Sequence, residues 1–256
     1  MVGSWLLLTT LGASEALAHK PSFANNYVNA DSAFTVDDPD ISIVLYAEMT
    51  CTESELWMER ETGDREEIWV ELGVPMLDRL ADYRPSIALV APGLPTADLP
   101  FEIPEGFGAT VISTSDVDEP VDFYEPFSQT ESWILYQGWL DVPSGEQVYL
   151  VSWNPSKFTG KLWVAVGKTE DFSDVSFDQF GEWIEKTQDY YEFNETEEHV
   201  ELDCSLIADP NGIQSTSPTQ QSSGCTSVVQ GNKVHFGMIA FLLGLLISRR
   251  KQNPIT

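Results

Sequence analysis

Short apolar runs alternate with turn-forming residues along residues 34–167. Runs rich in Val, Ile, Leu and aromatic residues, bounded by Gly, Pro, Asn and Asp, predict β-strands. The predicted strands cover residues 41–49, 56–59, 67–74, 86–91, 109–114, 131–140, 147–154 and 160–167. Because no helical pattern separates these strands, we expect an all-β fold, a jelly-roll-like β-sandwich over residues 19–172.

A helical pattern follows the predicted strands. Large or apolar side chains recur there at steps of three and four residues, at Phe177, Phe180, Ile184, Thr187 and Tyr191. This spacing predicts one amphipathic helix over residues 174–191, with Asp174 or Ser176 as its N-cap. We expect the helix and its acidic extension, residues 173–212, to lie on the periphery of the sandwich or to lead toward a membrane.

The N-terminal residues have the pattern of a signal peptide. Residues 5–8 are apolar, and the sequence Ala-Leu-Ala at residues 16–18 fits the small-x-small pattern of a signal peptidase site. We therefore predict a signal peptide over residues 1–18, with His19 as the mature N-terminus. The alternative is a buried apolar strand at the N-terminus.

The C-terminal residues have the pattern of a linker followed by a membrane segment. Residues 213–232 are mainly polar and predict a flexible linker. Residues 236–247 carry no charge, and Arg249 and Arg250 follow them closely. We predict a short transmembrane or sorting helix over residues 233–251, with its basic end in the cytoplasm.

The chain is strongly acidic. It contains 41 acidic and 13 basic residues, which give a formal net charge of −28 at pH 7. Such a charge repels nucleic acids and anionic lipid surfaces, and it favours cations, cationic polymers and a salty medium. The simpler interpretation is a solvated acidic surface whose self-repulsion is screened by salt.

The three cysteines predict one disulfide and one odd thiol. Cys51 and Cys204 lie in the part of the chain that we expect to be globular, and in an oxidising compartment they are the natural pair. Cys225 follows Gly224 in the predicted linker. A role in processing or lipid attachment suits that position better than a structural role.

Sequence motifs of the common catalytic sites are absent from this chain. It contains no G-x-S-x-G, H-E-x-x-H, P-loop or G-x-G-x-x-G pattern. We therefore expect no enzymatic activity.

The two histidines before the predicted membrane segment are candidate copper ligands. A mature N-terminal histidine such as His19 offers its α-amine and its imidazole to one copper ion, and imidazole suits Cu(II). His199 would supply the second imidazole. Plain solvent exposure of His19 is the simpler interpretation.

Acidic loops offer candidate calcium ligands. Two carboxylate clusters fall in predicted loops: Asp37, Asp38 and Asp40, and Asp116, Asp118 and Glu119. Calcium binds six to eight oxygen atoms, so either cluster could fasten a loop. Neither cluster has the EF-hand spacing, and solvation of the acids is the simpler interpretation.

The tryptophans of the predicted strands allow two interpretations. They are Trp57, Trp69, Trp133, Trp139, Trp153 and Trp163. We expect these rings to fill the core, where aromatic residues of sandwich strands usually lie. A carbohydrate-binding module is the alternative, and it would require two or three rings on one exposed face.

Several segments resemble an uncharacterised family of exported bacterial domains. They are residues 124–127 (YEPF), Ser132 with Trp133, Pro155 with Ser156, and residues 160–167 (GKLWVAVG) with Glu170 and Phe172. Members of that family also tend to begin with His-x-Pro, as His19, Lys20 and Pro21 do here. The resemblance covers most of residues 19–172 and implies a β-sandwich but no activity.

The C-terminal region resembles the tripartite sorting signals of bacteria, most closely the myxobacterial type. Gly224 with Cys225, the apolar run, and Arg249 with Arg250 match the order of its three parts. The resemblance implies processing by a membrane-bound sorting protease. This chain departs from the type in the ten residues that separate Cys225 from the apolar run.

These patterns together predict an exported protein of a Gram-negative cell envelope, anchored in the membrane or sorted to the surface. Its β-sandwich would be a non-enzymatic binding or structural module of unknown ligand. Its expected partners are the membrane, signal peptidase and, if the tail is processed, a sorting protease, and we expect no nucleic acid. An exported metal-binding protein, with copper or calcium, and a carbohydrate-binding module are the alternatives.

Overall fold

The computed structural model describes residues 19–24, 26–64, 67–143, 146–193 and 201–206. The predicted signal peptide, linker and C-terminal membrane helix lie outside these ranges, as do His199, Gly224, Cys225, Arg249 and Arg250. Within the described ranges, no helix has the length and apolar character needed to cross a membrane.

The strands of the described residues form two mixed β-sheets. In chain order they are β1 (Lys20–Phe23), β2 (Phe34–Thr35), β3 (Ile43–Met49), β4 (Glu55–Glu61), β5 (Glu67–Pro75), β6 (Ser86–Pro92), β7 (Phe107–Ile112), β8 (Val121–Glu125), β9 (Thr130–Asp141), β10 (Gln147–Trp153) and β11 (Gly160–Val166). The six-stranded sheet has the order β1-β3-β11-β5-β9-β8, and the five-stranded sheet has the order β2-β4-β10-β6-β7. The pairs β1/β3 and β2/β4 are parallel.

The main core lies between the two sheets. Alternate aliphatic residues of the six-stranded sheet, such as Leu45, Leu72 and Val164, share one buried cluster with residues of the five-stranded sheet such as Ile87 and Leu150. Burial of each such side chain contributes about 1.5–3 kcal/mol. The strands therefore bury every second residue against the other sheet, an arrangement consistent with the predicted β-sandwich.

A smaller aromatic cluster covers the other face of the five-stranded sheet. Trp57 and Trp153 lie in this cluster and are buried. Phe101, from the long loop between β6 and β7, contacts both indoles edge to face, with ring centroids 5.5 and 5.2 Å away. The expectation that tryptophans fill the core is confirmed for these two residues.

The predicted helix is present as α1 (Phe177–Tyr190), and Ser176 is its N-cap. The Ser176 side chain accepts a hydrogen bond from the backbone N–H of Gln179 at 3.2 Å. The helix contacts the outer face of the six-stranded sheet mainly through its last turn, where Thr187 is its one fully buried residue. Phe177 is 91% exposed, so the predicted apolar stripe is wrong at its first position.

The predicted disulfide between Cys51 and Cys204 is confirmed. It joins the connection between β3 and β4 to the segment that follows α1, across a sequence separation of 153 residues. A cross-link of this span removes much conformational freedom from the unfolded chain, and loss of a native disulfide commonly costs about 2–5 kcal/mol. The disulfide therefore holds residues 201–206, the last residues that the structure describes, against the sandwich.

Candidate functional site

The candidate site lies on the outer face of the six-stranded sheet, beside α1, and it begins with His19. Strand β1 pairs in parallel with β3, with Lys20 opposite Ile43, and this pairing carries His19 onto the sheet. The His19 side chain is 7% exposed, and its Nε2 lies 3.7 Å from Oε2 of Glu71. The interpretation of His19 as a solvent-exposed residue is therefore wrong.

Glu71 links His19 to a tryptophan. It lies in β5 opposite Ala165 of β11, is buried, and points to the outer face of the sheet. Its Oε1 accepts a hydrogen bond from Nε1 of Trp69 at 2.9 Å. A buried carboxylate needs such polar partners because the loss of hydration would otherwise destabilise the fold.

A small cavity adjoins His19 between the sheet and α1. Its volume is about 20 Å³, enough for roughly one water molecule. The lining includes His19, Pro21, Glu125, Phe127 and Trp163. These residues come from three of the segments that resemble the exported bacterial family, so the fold brings separated motifs of that resemblance to one place.

Tyr46 and Tyr191 also line this cavity, and the buried residue Ser132 connects Tyr191 to Trp163. Ser132 Oγ lies 2.6 Å from the hydroxyl of Tyr191 and accepts a hydrogen bond from Nε1 of Trp163 at 3.0 Å. Burial raises the pKa of Tyr46, and burial also raises the pKa of Tyr191. Both phenols therefore stay neutral and act as hydrogen-bonding groups rather than as bases.

Glu125 is the carboxyl group of the cavity wall. It ends β8, and its Oε1 accepts a hydrogen bond from the backbone N–H of Phe127 at 3.0 Å. Burial raises its pKa, the hydrogen bond from Phe127 opposes this effect, and the charge of Glu170 adds to it. The net direction is upward, so Glu125 holds a proton to a higher pH than an ordinary glutamate.

A group of charges fastens the end of α1 to the sheet. Glu192 pairs with Arg79 and with Lys161, whose Nζ lies 2.8 Å from Oε1 of Glu192. Lys161 also donates a hydrogen bond to the carbonyl oxygen of Tyr190 at 2.9 Å. Burial raises the pKa of Glu192, but hydrogen bonds from Lys161 and Arg79 outweigh burial and lower it overall.

The outer face of the same sheet also has a part that α1 leaves open. Trp69 and Trp139 stand there edge to face, with ring centroids 5.5 Å apart and an interplanar angle of 67°. The ammonium group of Lys168 lies 4.2 Å from the centroid of the Trp69 ring. Trp139 is 53% exposed, so the expectation that this tryptophan fills the core is wrong.

The candidate calcium ligands lie at the surface. All six carboxylate residues, Asp37, Asp38, Asp40, Asp116, Asp118 and Glu119, are exposed. Asp38 accepts a hydrogen bond from the backbone N–H of Asp40 at 2.9 Å, which gives its carboxylate a role in the loop itself. In the described part of the chain, no group of three His, Cys, Asp or Glu side chains is arranged to hold a metal ion. Calcium binding stays a prediction.

An open cleft of about 260 Å³ adjoins the disulfide. Cys51, Cys204, Trp153, Lys157 and Phe158 line it. Its residues do not coincide with those of the cavity beside His19, so the two concave regions are separate features of the surface.

No protein-family model matches this chain, and no curated protein is similar to it.

Proposed function

We propose that this chain is an exported β-sandwich protein of the cell envelope, membrane-anchored or surface-sorted, that acts as a non-enzymatic binding or structural module. The observation that carries the proposal is the disulfide between Cys51 and Cys204. Such bonds persist in oxidising compartments and are rare in the cytosol. A disulfide that joins the sandwich to the distant segment after α1 therefore supports maturation outside the cytosol.

The strand orders support the jelly-roll-like arrangement within this proposal. When the short strands β1, β2 and β8 are set aside, the remaining eight strands give the orders β3-β11-β5-β9 and β4-β10-β6-β7. Two sheets of four strands with this alternation correspond to the two interlocked Greek keys of a jelly roll. Domains with this architecture commonly serve as binding or structural modules, among other functions.

The small cavity also favours a binding or structural role over catalysis. It has room for about one water molecule, and its tyrosines are neutral hydrogen-bonding groups. The hydrogen bond between Tyr191 and Ser132, which also accepts one from Trp163, stabilises the docking of α1. The exposed surfaces of the sheets remain for recognition.

Thiol labelling of the exported protein tests the proposal. With Cys225 replaced by Ser, we expect Cys51 and Cys204 to resist maleimide in the unreduced protein and to label after reduction and unfolding. We also expect the protein to fractionate with the envelope. Recovery of an unprocessed, cytosolic chain with both thiols reactive would contradict the proposal.

The position of His19 favours copper binding as a second candidate function. The imidazole is held near the carboxylate of Glu71, and the cavity beside it includes Glu125. Cleavage after Ala18 would add the α-amine of His19, a copper ligand in its own right. The described side chains alone do not form a three-ligand group, so this candidate depends on that amine.

A comparison of two N-termini tests the copper candidate. We expect the protein that begins at His19 to bind Cu(II) with a 1:1 stoichiometry in calorimetry, and the protein with one alanine added before His19 to bind it at least about tenfold more weakly. Equal affinity of the two proteins would remove this candidate.

A further inference from the structure

We propose that the part of the six-stranded sheet left open by α1 binds an extended basic segment of a partner protein. We propose that this segment adds as a strand to the edge of β9 that no described strand covers. The proposal deepens the binding role proposed above, on which it rests, by naming the class of ligand and its site. We call this region the open aromatic face and define it by Glu67, Trp69, Gln137, Trp139 and Asp141.

The backbone of β9 provides the edge. Strand β8 is its outer neighbour among the described residues, and it pairs with β9 only from Thr130 to Ile134. Residues 135–141 continue the strand, and residues 136–141 pair with β5 on one side. In an antiparallel pair, alternate residues point their N–H and C=O groups away from the partner strand, so this edge can hydrogen-bond an added strand.

The side chains beside this edge are aromatic. Trp139 is opposite Trp69 in the register of β9 and β5, and the two rings contact each other. Tryptophan faces attract ammonium and guanidinium groups through cation–π interactions. One such interaction is present at this face, where the ammonium group of Lys168 lies 4.2 Å from the centroid of the Trp69 ring.

Charge selects a basic ligand for this face. Glu67 and Asp141 are directly opposite each other, and both are exposed. Like charges at opposed positions of an antiparallel pair are destabilising, and neither carboxylate has an ion-pair partner among the described residues. A lysine or arginine of a bound segment would relieve this repulsion, and the net charge of −28 would attract the segment from a distance.

The shape of the face favours a peptide over a sugar or a small molecule. Small-molecule sites are generally concave, whereas this region is one exposed face of a sheet beside a free edge. The rings of Trp69 and Trp139 are inclined at 67°, so they do not form the coplanar platform on which a sugar chain would stack. An extended peptide would instead place alternate side chains over Trp139 and between the two carboxylates.

Fluorescence anisotropy with the purified full chain tests the proposal. The probe is a labelled nine-residue peptide with lysine at alternate positions and threonine or valine between them. We expect binding that weakens at least about tenfold in Trp139→Ala and in the double variant Glu67→Gln with Asp141→Asn. The double variant should also have a shallower dependence of affinity on salt concentration.

Matched controls separate this site from general attraction to an acidic protein. Tyr124→Ala removes an aromatic side chain of β8 that is 53% exposed, as Trp139 is, and it should change affinity less than about twofold. A peptide of equal charge in which proline replaces the intervening residues should bind at least about tenfold more weakly, because proline cannot donate backbone hydrogen bonds. Hydrogen exchange of residues 135–141 should slow on addition of the lysine peptide.

Three results would overturn the proposal. They are equal affinity of Trp139→Ala and the parent protein, equal affinity for the proline peptide, and preferential binding of neutral oligosaccharides at Trp139. None of these results depends on where the protein resides, so failure here is distinguishable from failure of the proposed envelope role.

Discussion

Two tryptophans on the outer face of the six-stranded sheet differ in how far they are buried. Trp163, next to α1, is 3% exposed, and its indole N–H is satisfied by Ser132. Trp139, two strands away in β9, is 53% exposed and contacts Trp69. Both residues lie in strands that pair antiparallel with β5, and both point to the same side of the sheet. Trp163 is covered by Tyr190 and Tyr191 at the end of α1 and by Phe123 of β8, so the burial of an aromatic residue here depends on what packs over its strand.

Substitution of each tryptophan by alanine is the strongest test of this contrast. We expect Trp163→Ala to lower the free energy of unfolding by about 3–5 kcal/mol, because it leaves a cavity and removes a hydrogen-bond donor to Ser132. We expect Trp139→Ala to change it by less than about 0.5 kcal/mol. Urea titrations of both variants provide the measurement, and similar losses in the two would contradict the contrast.

A glycine beneath Trp163 gives the next largest effect. A Cβ atom added at Gly73 would lie 2.2 Å from the Trp163 ring, so Gly73→Ala must displace the buried indole. We expect a loss of about 1–3 kcal/mol in the free energy of unfolding.

Gly138 provides a comparison in β9, next to Trp139 but on the side of the sheet that faces the core between the sheets. A Cβ atom added there would lie 3.0 Å from the hydroxyl of Tyr136, which can move aside more easily than a buried ring. Thermal unfolding of Gly73→Ala and Gly138→Ala should therefore show the larger decrease in Tm for Gly73→Ala. The reverse order would show that the sheet is not tightly packed around Trp163.

Two carboxyl groups near α1 predict opposite pH responses. The pKa of Glu125 is raised in the folded protein, so its contribution to stability is present below the ordinary glutamate pKa of about 4.3 and is lost as pH rises through the raised value. Glutamine does not ionise, so it does not lose this contribution. As pH rises through the raised pKa, the free energy of unfolding of Glu125→Gln should therefore increase relative to that of the parent protein. Free energies of unfolding measured across a pH series check this result. A constant difference between Glu125→Gln and the parent protein would contradict it.

The pKa of Glu192 is lowered in the folded protein, so its effect on stability changes with pH in the direction opposite to that of Glu125. Its contribution to stability is present above the ordinary glutamate pKa of about 4.3 and is lost as pH falls through the lowered value. Glu192→Gln should therefore be less stable than the parent protein near neutral pH, and the difference should shrink in acid. The same pH series checks this result, and a constant difference would contradict it.

The smallest predicted effect concerns the helix itself. Gly181 lies within α1, and a Cβ atom added there would meet no atom within 4 Å. Gly181→Ala should therefore raise the free energy of unfolding by about 0.5–1 kcal/mol, since alanine has the higher helix propensity. Urea unfolding would show this gain, and a loss would indicate that the helix packs more closely than its exposed surface suggests.

The local sequence pattern predicted most of the strands, because buried strands are apolar runs bounded by turn-forming residues. Each of the eight predicted strands has a counterpart in the structure, with ends displaced by a few residues at most. The strands β1, β2 and β8 escaped prediction. They are short, and β8 reads VDFYE, where charged residues interrupt the apolar pattern.

The candidate site was only partly visible in the sequence. The resemblance singled out His19 and the segment that contains Glu125, but no local pattern could place them at one cavity, since their meeting depends on the pairing of β1 with β3. Glu71 was overlooked, although a carboxylate within the apolar run of β5 is an unusual signal. The different burial of Trp163 and Trp139 also depends on tertiary structure, because both lie in similar strands.

The bond between Cys51 and Cys204 has a consequence for how the protein would withstand proteolysis. The chain from β4 through α1 lies between these two residues, inside one closed covalent ring. A single cut by a protease anywhere in that ring leaves the two fragments attached, and the surrounding sheets can keep them in register. Of the strands in the described residues, β1, β2 and β3 lie outside the ring, so a cut among them is the one that could release a piece of the sandwich.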